Sequence, residues 1–563
     1  MKQFGIFLFL FFPLIQLSAQ AEIPQDFFKS PLEIPLTLAG SFGELRSNHF
    51  HSGMDLKTNQ QTGLNVLAAG PGYISRIKVQ QWGFGKAIYI QHPNGYTTVY
   101  GHLKEFSPEI KAYVRKRQYE KESFEVELFP SENELPVNEG QLIALSGNTG
   151  SSGGPHVHFE IRDNQQRPMN PMLFGLDIKD TRKPIITGLY AYPVGGSAYV
   201  NNVAERQKIR LIPLQDGTFK TETINAFGKI GFGISTVDQM NFEPNKNGAY
   251  KIETICNGSQ HFEMIFDKFS FAESGYINRM IDYSYYKEND KRIQKLFLEP
   301  NNELSIYSNV VNKGLIDIGP DEDYIFIIKV SDFAGNSNII RIPIEAKQSD
   351  TVKFMEPAKT DYFAAANQST VFEEGIFDVY IPKDALYEDT YLNISIEGET
   401  IHLHEATTPL HKNLTLGFDV GNYSEEDRKQ LCIVRTYPWG SKYYVTTRKE
   451  GNRFTTHTKT FGTYTLGTDD VPPKIVPVNF SDGKWISNNE TLSLKITDDF
   501  SGISAYRATV NGKFILMEYN HKTDLITYEF SDGIATETEN KLKVIVTDNV
   551  GNSSVFEAVF YRK

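Results

Sequence analysis

Apolar and polar positions alternate most clearly in His156-Val157-His158-Phe159-Glu160-Ile161. A period of two predicts a β-strand with His156, His158 and Glu160 on one face and Val157, Phe159 and Ile161 in a core. A Gly/Pro-rich turn, 152–155, leads into it. Upstream, short apolar runs predict strands at 65–69, 72–79 and 86–91. Pro93-Asn94-Gly95 is a hairpin signal and leads into a further strand at 96–100. That antiparallel pair delivers Gly101-His102-Leu103 at a strand end. Residues 105–139 are polar with mixed charge, and 110–123 read as a helix. Sheet character returns at 140–147, and the module closes near 171–175.

Beyond residue 180 the pattern becomes long and strand-rich. Lys183-Pro184-Ile185-Ile186 opens a module that ends near Ser331-Asp332-Phe333-Ala334-Gly335-Asn336. Pro472-Pro473-Lys474-Ile475 and Thr547-Asp548-Asn549-Val550-Gly551-Asn552 repeat that frame. The repeat predicts two related β-sandwiches. Their Asp-x-x-Gly-Asn segments read as turns, with calcium binding as the sharper alternative. The region between, around 377–382, predicts another β domain. The expected fold class is therefore mainly β. The expected organisation is a signal peptide (1–19), an N-terminal domain (20–179), an Ig-like domain (180–347), a β-rich domain (348–469) and a C-terminal Ig-like domain (470–563).

Lys2, the apolar run 4–15 and the small-x-small site Ala19-Gln20-Ala21 form a secretory signal. The run is short for a membrane span, and no later stretch resembles one. Periplasm is the expected location, with the cell surface or the medium as alternatives. The net charge of -12 argues against a nucleic-acid partner. Two cysteines do not make a disulfide scaffold.

The chemistry is concentrated near residue 50. His49, His51 and Asp55 fall within seven residues of a chain with 12 histidines. Glycine and short polar residues around them predict a loop entering a strand. Joined to the His156/His158 strand, they supply a His/Asp/His ligand set. His402-Leu403-His404 repeats the spacing without a turn before it or an H-x-x-x-D segment nearby, and reads as a strand surface.

Three ordered blocks, His51-Ser52-Gly53-Met54-Asp55, Gly101-His102-Leu103 and Gly154-Pro155-His156-Val157-His158-Phe159, resemble the M23 family of zinc metallopeptidases, the lysostaphin/LytM-like peptidoglycan endopeptidases. The resemblance spans roughly residues 35–175. It implies a small antiparallel β-sheet groove of the duplicated-hybrid-motif type. It also implies one zinc ion on His51, Asp55 and His158, with His102 and His156 as the catalytic pair and peptidoglycan stem peptides as substrate. Hydrolysis through a metal-activated water is then the expected activity. An inactive or gated scaffold that regulates wall hydrolysis, and a secreted protease of ordinary proteins, are the alternatives. Glu160 is expected to orient a ligand imidazole. His49 is expected to line the groove or serve structure, and Gly43, Arg46 and Asn48 to contact substrate or shape the loop. Tyr73 and Tyr100 are weaker groove candidates. The charged segment after His102 is expected to line or cover the groove. The tail modules resemble Ig-like domains of secreted Bacteroidetes-type members, and are expected to position the enzyme or bind a protein or glycan.

Overall fold

The computed structural model describes residues 23–563 except 242, 321, 350 and 355–357. The expected signal peptide lies outside the described residues. No helix among them is long and apolar enough to cross a membrane.

Twelve short strands and one helix build the N-terminal domain. In chain order they are β1 (Leu38–Gly40), β2 (Met54–Lys57), β3 (Asn65–Leu67), β4 (Gly72–Val79), β5 (Lys86–Gln91), β6 (Thr97–Leu103), β7 (Glu105–Phe106), α1 (Pro108–Lys121), β8 (Val126–Leu128), β9 (Pro136–Val137), β10 (Leu142–Leu145), β11 (His156–Arg162) and β12 (Pro168–Met169). The main sheet runs β1-β2-β11-β6-β5-β4-β8, with β12 beside β11 and β9 beside β4. A smaller sheet, β3-β10-β7, packs with it around one core.

Strand β11 is central because alternate residues are fully apolar. Val157, Phe159 and Ile161 are completely buried, together with Met54, Leu56 and Tyr100 from its neighbours β2 and β6. The register places His158 opposite Asp55 on one side and Gly101 on the other. Paired residues share a face, so Asp55 and His158 leave the sheet together on the side away from that core.

Helix α1 starts two residues before its expected place. Pro108 sits in its first turn, where a missing N–H costs nothing. Ile110 and Val114 face inward. Glu122 ends the helix in the left-handed region, at φ 46°.

Three β modules follow. In the second module, strand Ile224–Val237 pairs with both Ile185–Pro193 and Ser337–Ala346, and so ties two layers into one branched sheet. Phe42 and Phe50 of the N-terminal domain insert into this module's core, against Phe266 and Phe269. The backbone N–H of Phe50 donates to Ser274 Oγ at 2.8 Å. The third module pairs two five-stranded sheets over the core of Leu403, Leu416 and Phe418. In the fourth, a four-stranded and a five-stranded sheet enclose Leu494, Val544 and Phe560.

Candidate functional site

The loop before β2 and the first half of β11 bring three donors together. His51 Nε2, Asp55 Oδ1 and His158 Nδ1 are each 3.0 Å from the other two. The remaining nitrogens of both rings fix the tautomers. His51 Nδ1 donates to the Ser41 carbonyl at 2.8 Å, and His158 Nε2 donates to Glu160 Oε1 at 2.9 Å. The facing nitrogens therefore carry lone pairs.

Three lone pairs at such separations repel unless a positive charge lies among them. Burial opposes a charge on His158, but Asp55 and Glu160 outweigh it and push its pKa up to about 9. Burial likewise opposes the Asp55 charge, yet His51, His156 and His158 hold that carboxyl well below the usual range. The donor set thus fits a cation, and two imidazoles with one carboxylate suit a borderline-soft divalent metal.

Supporting groups surround the three donors. Asp55 Oδ2 accepts from Arg46 at 3.1 Å, leaving Oδ1 for the centre. Glu160 Oε1 also accepts from Ser52 Oγ, and its Oε2 accepts from Arg162 Nε at 2.6 Å. Arg162 and His158 overcome the burial of Glu160 and hold its carboxyl down to about 2. Gly53 allows this approach, since a Cβ there would lie 2.3 Å from the Phe159 carbonyl. Phe84 stacks on His158, with ring centroids 4.5 Å apart.

Two further imidazoles stand beside the donors. His156 Nε2 is 3.3 Å from Asp55 Oδ1, and its Nδ1 donates to the Gly154 carbonyl at 2.9 Å. His102 Nδ1 donates to the Thr149 carbonyl at 2.8 Å. The two rings are 4.7 Å apart. His102 arrives by a β-bulge. Gly101 and His102 of β6 together oppose Ala87 of β5, and His102 has φ 60°. On a regular strand His102 would follow Tyr100 into the core. The bulge turns it to the other face. Burial, then His158 and His156, push its pKa down to about 3, so it is neutral.

Residues 49–119 and 130–171, which contain all five of these side chains, match the model of Peptidase family M23. The chain carries an M23 peptidase domain. Two curated relatives align over it. The DD-carboxypeptidase/endopeptidase Mpg of Neisseria meningitidis serogroup B is 33% identical over 132 residues, 23% of this chain and 24% of the relative. The peptidoglycan DD-endopeptidase ShyA of Vibrio cholerae is 33% identical over 122 residues, 22% of each chain. This chain therefore spans under a quarter of the length of these relatives. A solved catalytic domain of the antimicrobial peptidase lysostaphin from Staphylococcus simulans is 24% identical, covering 24% of this chain and 87% of that one, with a TM-score of 0.18. Residues 361–469 match the Zu5-like domain.

Other residues singled out in the sequence lie elsewhere in the M23 domain. His49 is an outer residue whose Nδ1 donates to the Ser47 carbonyl. Asn48 accepts from Asn278 of the second module at 2.9 Å. Arg46 is turned toward Asp55 and Glu44 rather than toward open groove. Tyr100 is not a groove residue: it is fully buried in the core, with its hydroxyl accepting from the Ala69 N–H. Tyr73 lies on β4, which β5 and β6 separate from β11. The charged segment docks the fourth module, through Arg115 and Tyr119 of α1. His402 and His404 bond Thr463 and Thr408, far from the M23 centre.

Sequence reading missed Ser41, Ser52, Thr149 and Gly154. Ser52 acts through its hydroxyl, but Ser41, Thr149 and Gly154 act through carbonyls, which no residue type announces. Gly101 was a legible signal of close packing, since a Cβ there would lie 3.3 Å from the Cβ atoms of His158 and Phe84.

Proposed function

We propose that this chain is a zinc-dependent endopeptidase that hydrolyses peptide crosslinks of bacterial peptidoglycan, exported to the periplasm by its N-terminal signal. The observation that carries this reading is the set of three convergent lone pairs on His51, Asp55 and His158 beside two further imidazoles. The names of the aligned relatives, both DD-endopeptidases, support the substrate class. His51, Asp55 and His158 would hold the zinc, which would supply Lewis acidity toward a peptide carbonyl and a water of lowered pKa.

The chain's own residues do the rest. With both Nδ1 protons on carbonyls, His156 and His102 present Nε2 lone pairs. His156 is the base that takes a proton from the attacking water and returns it to the leaving amine. Neutral His102 accepts a hydrogen bond from that water through its Nε2 lone pair and so orients the attack, without changing its own protonation. Glu160, Ser52 and Arg162 hold the His158 ring in its tautomer. The test is mass spectrometry of crosslinked muropeptides incubated with the zinc-loaded mature protein. New amine ends support the proposal. Intact muropeptides together with cleavage of a glycine-rich or ordinary protein substrate would replace it with a general secreted protease.

One observation favours a gated form of the same enzyme. Lys522 of the fourth module donates to the Ser152 carbonyl at 2.6 Å and to Asn148 Oδ1 at 2.9 Å. The loop it grips carries the carbonyls that hold His102 and His156. A Lys522→Ala variant of the full chain with altered turnover and unchanged zinc content supports gating, and unchanged turnover removes it.

A further inference from the structure

Three aspartates meet at the seam between the M23 domain and the second module. Asp180 lies in the linker, Asp238 follows strand Ile224–Val237, and Asp332 follows strand Tyr324–Ser331. One carboxylate oxygen from each lies within 4.8 Å of the other two. The three line a cavity of about 40 Å³ whose far wall is Leu38, Ser41 and Met172 of the M23 domain. The Arg182 guanidinium acts on Asp238 through its charge but makes no hydrogen bond to the three carboxylates. It donates to the Met240 carbonyl and to Gln239 Oε1.

A fourth group points at a ligand. Asn247 lines the same cavity and is 3% exposed. Its backbone exchanges two hydrogen bonds of 2.8 Å with Asp238. Such a pairing sends both side chains to one face. Yet among the described residues neither side-chain atom of Asn247 has a hydrogen-bond partner, and neither has Asp238 Oδ1. Leaving a buried amide unpaired costs about 1–3 kcal/mol. An uncompensated buried carboxylate costs more. The same three positions recur in the fourth module as Asp469, Asp498 and Asp548. In both modules the asparagine four residues after the last aspartate donates to the linker aspartate's carbonyl: Asn336 to Asp180 and Asn552 to Asp469. The second cluster differs in one respect. Its carboxylates are satisfied by backbone N–H groups, from Phe500 and Gly502 to Asp498 and from Val550, Gly551 and Asn552 to Asp548. In the seam cluster Asp180 accepts from the Arg182 N–H and Asp332 from Asn336, but Asp238 Oδ1 has no such donor.

We propose that Asp180, Asp238, Asp332 and the side-chain oxygen of Asn247 bind one hard divalent cation, calcium by preference, at the seam between the M23 domain and the second module. All four donors are oxygens, which excludes the nitrogen- and sulfur-seeking metals. Calcium accepts an all-oxygen protein set in adaptable geometry, whereas magnesium demands a near-ideal octahedron and keeps several waters. The ion neutralises the clustered carboxylates and satisfies the buried amide oxygen at once.

The test is calorimetric titration of the zinc-loaded full chain with calcium chloride, with thermal melts in parallel. One saturable site per chain and a rise in melting temperature are expected. Asp238→Asn and Asn247→Ala should each weaken binding about tenfold or more. Asn247→Ala leaves every charge in place, so it decides the matter where Asp238→Asn folds poorly. Asp498→Asn, in the second cluster, should leave the affinity unchanged. The proposal is overturned by a wild-type chain that takes up no calcium, by unchanged affinity in both seam variants, or by loss of binding in Asp498→Asn alone.

Discussion

At the scale of single residues, two neighbouring histidines on one strand have separate tasks. His158 Nδ1 is one of the three convergent donors, whereas His156 is held by Gly154 and turned toward Asp55 from outside. His158→Ala should therefore lose zinc. His156→Ala should keep most of its zinc and lose at least about a hundredfold in turnover. Metal analysis beside muropeptide kinetics checks both, and equal metal loss in the two variants would contradict the division. The period of two in 156–161 was enough to place His156, His158 and Glu160 on one face, because side-chain direction in a strand is local. Glu160 could be read as the partner of one of those rings, but the other partners could not. Ser41 and Thr149 contribute carbonyls, and Arg46 folds back on its own loop, which depends on packing across the whole domain.

At the scale of elements, the bulge in β6 decides where His102 goes. A hairpin ending at Gly101-His102 could be read from the Pro93-Asn94-Gly95 turn, but the extra residue in the ladder could not, since it arises from register with β5. Gly101 faces His158, and a Cβ there would lie 3.3 Å from the Cβ atoms of both His158 and Phe84. Gly101→Ala should cost about 1 kcal/mol of stability through crowding. It should also lower turnover about tenfold by displacing the imidazole, with zinc content unchanged. Denaturant melts and single-turnover kinetics separate the two effects. Helix α1 was legible as a helix, yet its role was not. Its charged face matches acidic residues some four hundred positions away, beyond the reach of any local pattern.

At the scale of the whole molecule, the tail is packed on the M23 domain rather than strung behind it. Arg115 bonds Glu518 at 3.2 Å, Glu529 at 2.9 Å and Asp532 at 3.2 Å. Removing one side of a shielded ion network leaves the other side unpaired. Arg115→Ala should weaken docking of the fourth module by about 3 kcal/mol, and small-angle scattering should then record a more extended particle. An unchanged scattering profile would mean that the remaining contacts suffice.

Stability should also depend on acidity through His92, which donates to the Pro71 carbonyl and faces Thr98 Oγ1. Burial pushes its pKa down to about 4 from 6.5. The unfolded chain therefore binds a proton that the folded chain refuses. Stability is full above pH 6.5 and falls by about 3 kcal/mol as the pH drops through 4. Thermal melts of His92→Asn, which cannot titrate, should be flatter over that window than those of the natural chain.

Ser41 ends outside the span that matches the peptidase family, which begins at residue 49. Its carbonyl holds the His51 proton, and its hydroxyl accepts from the Gly248 N–H of the second module at 3.0 Å. A protein trimmed to the matching span would keep all five imidazole and carboxylate groups. It would still lack the oxygen that tells His51 which nitrogen to leave bare, along with Arg46 and the Phe42 anchor. The smallest complete unit of the M23 domain is thus larger than its recognisable signature, and it borrows its rigidity from the neighbour.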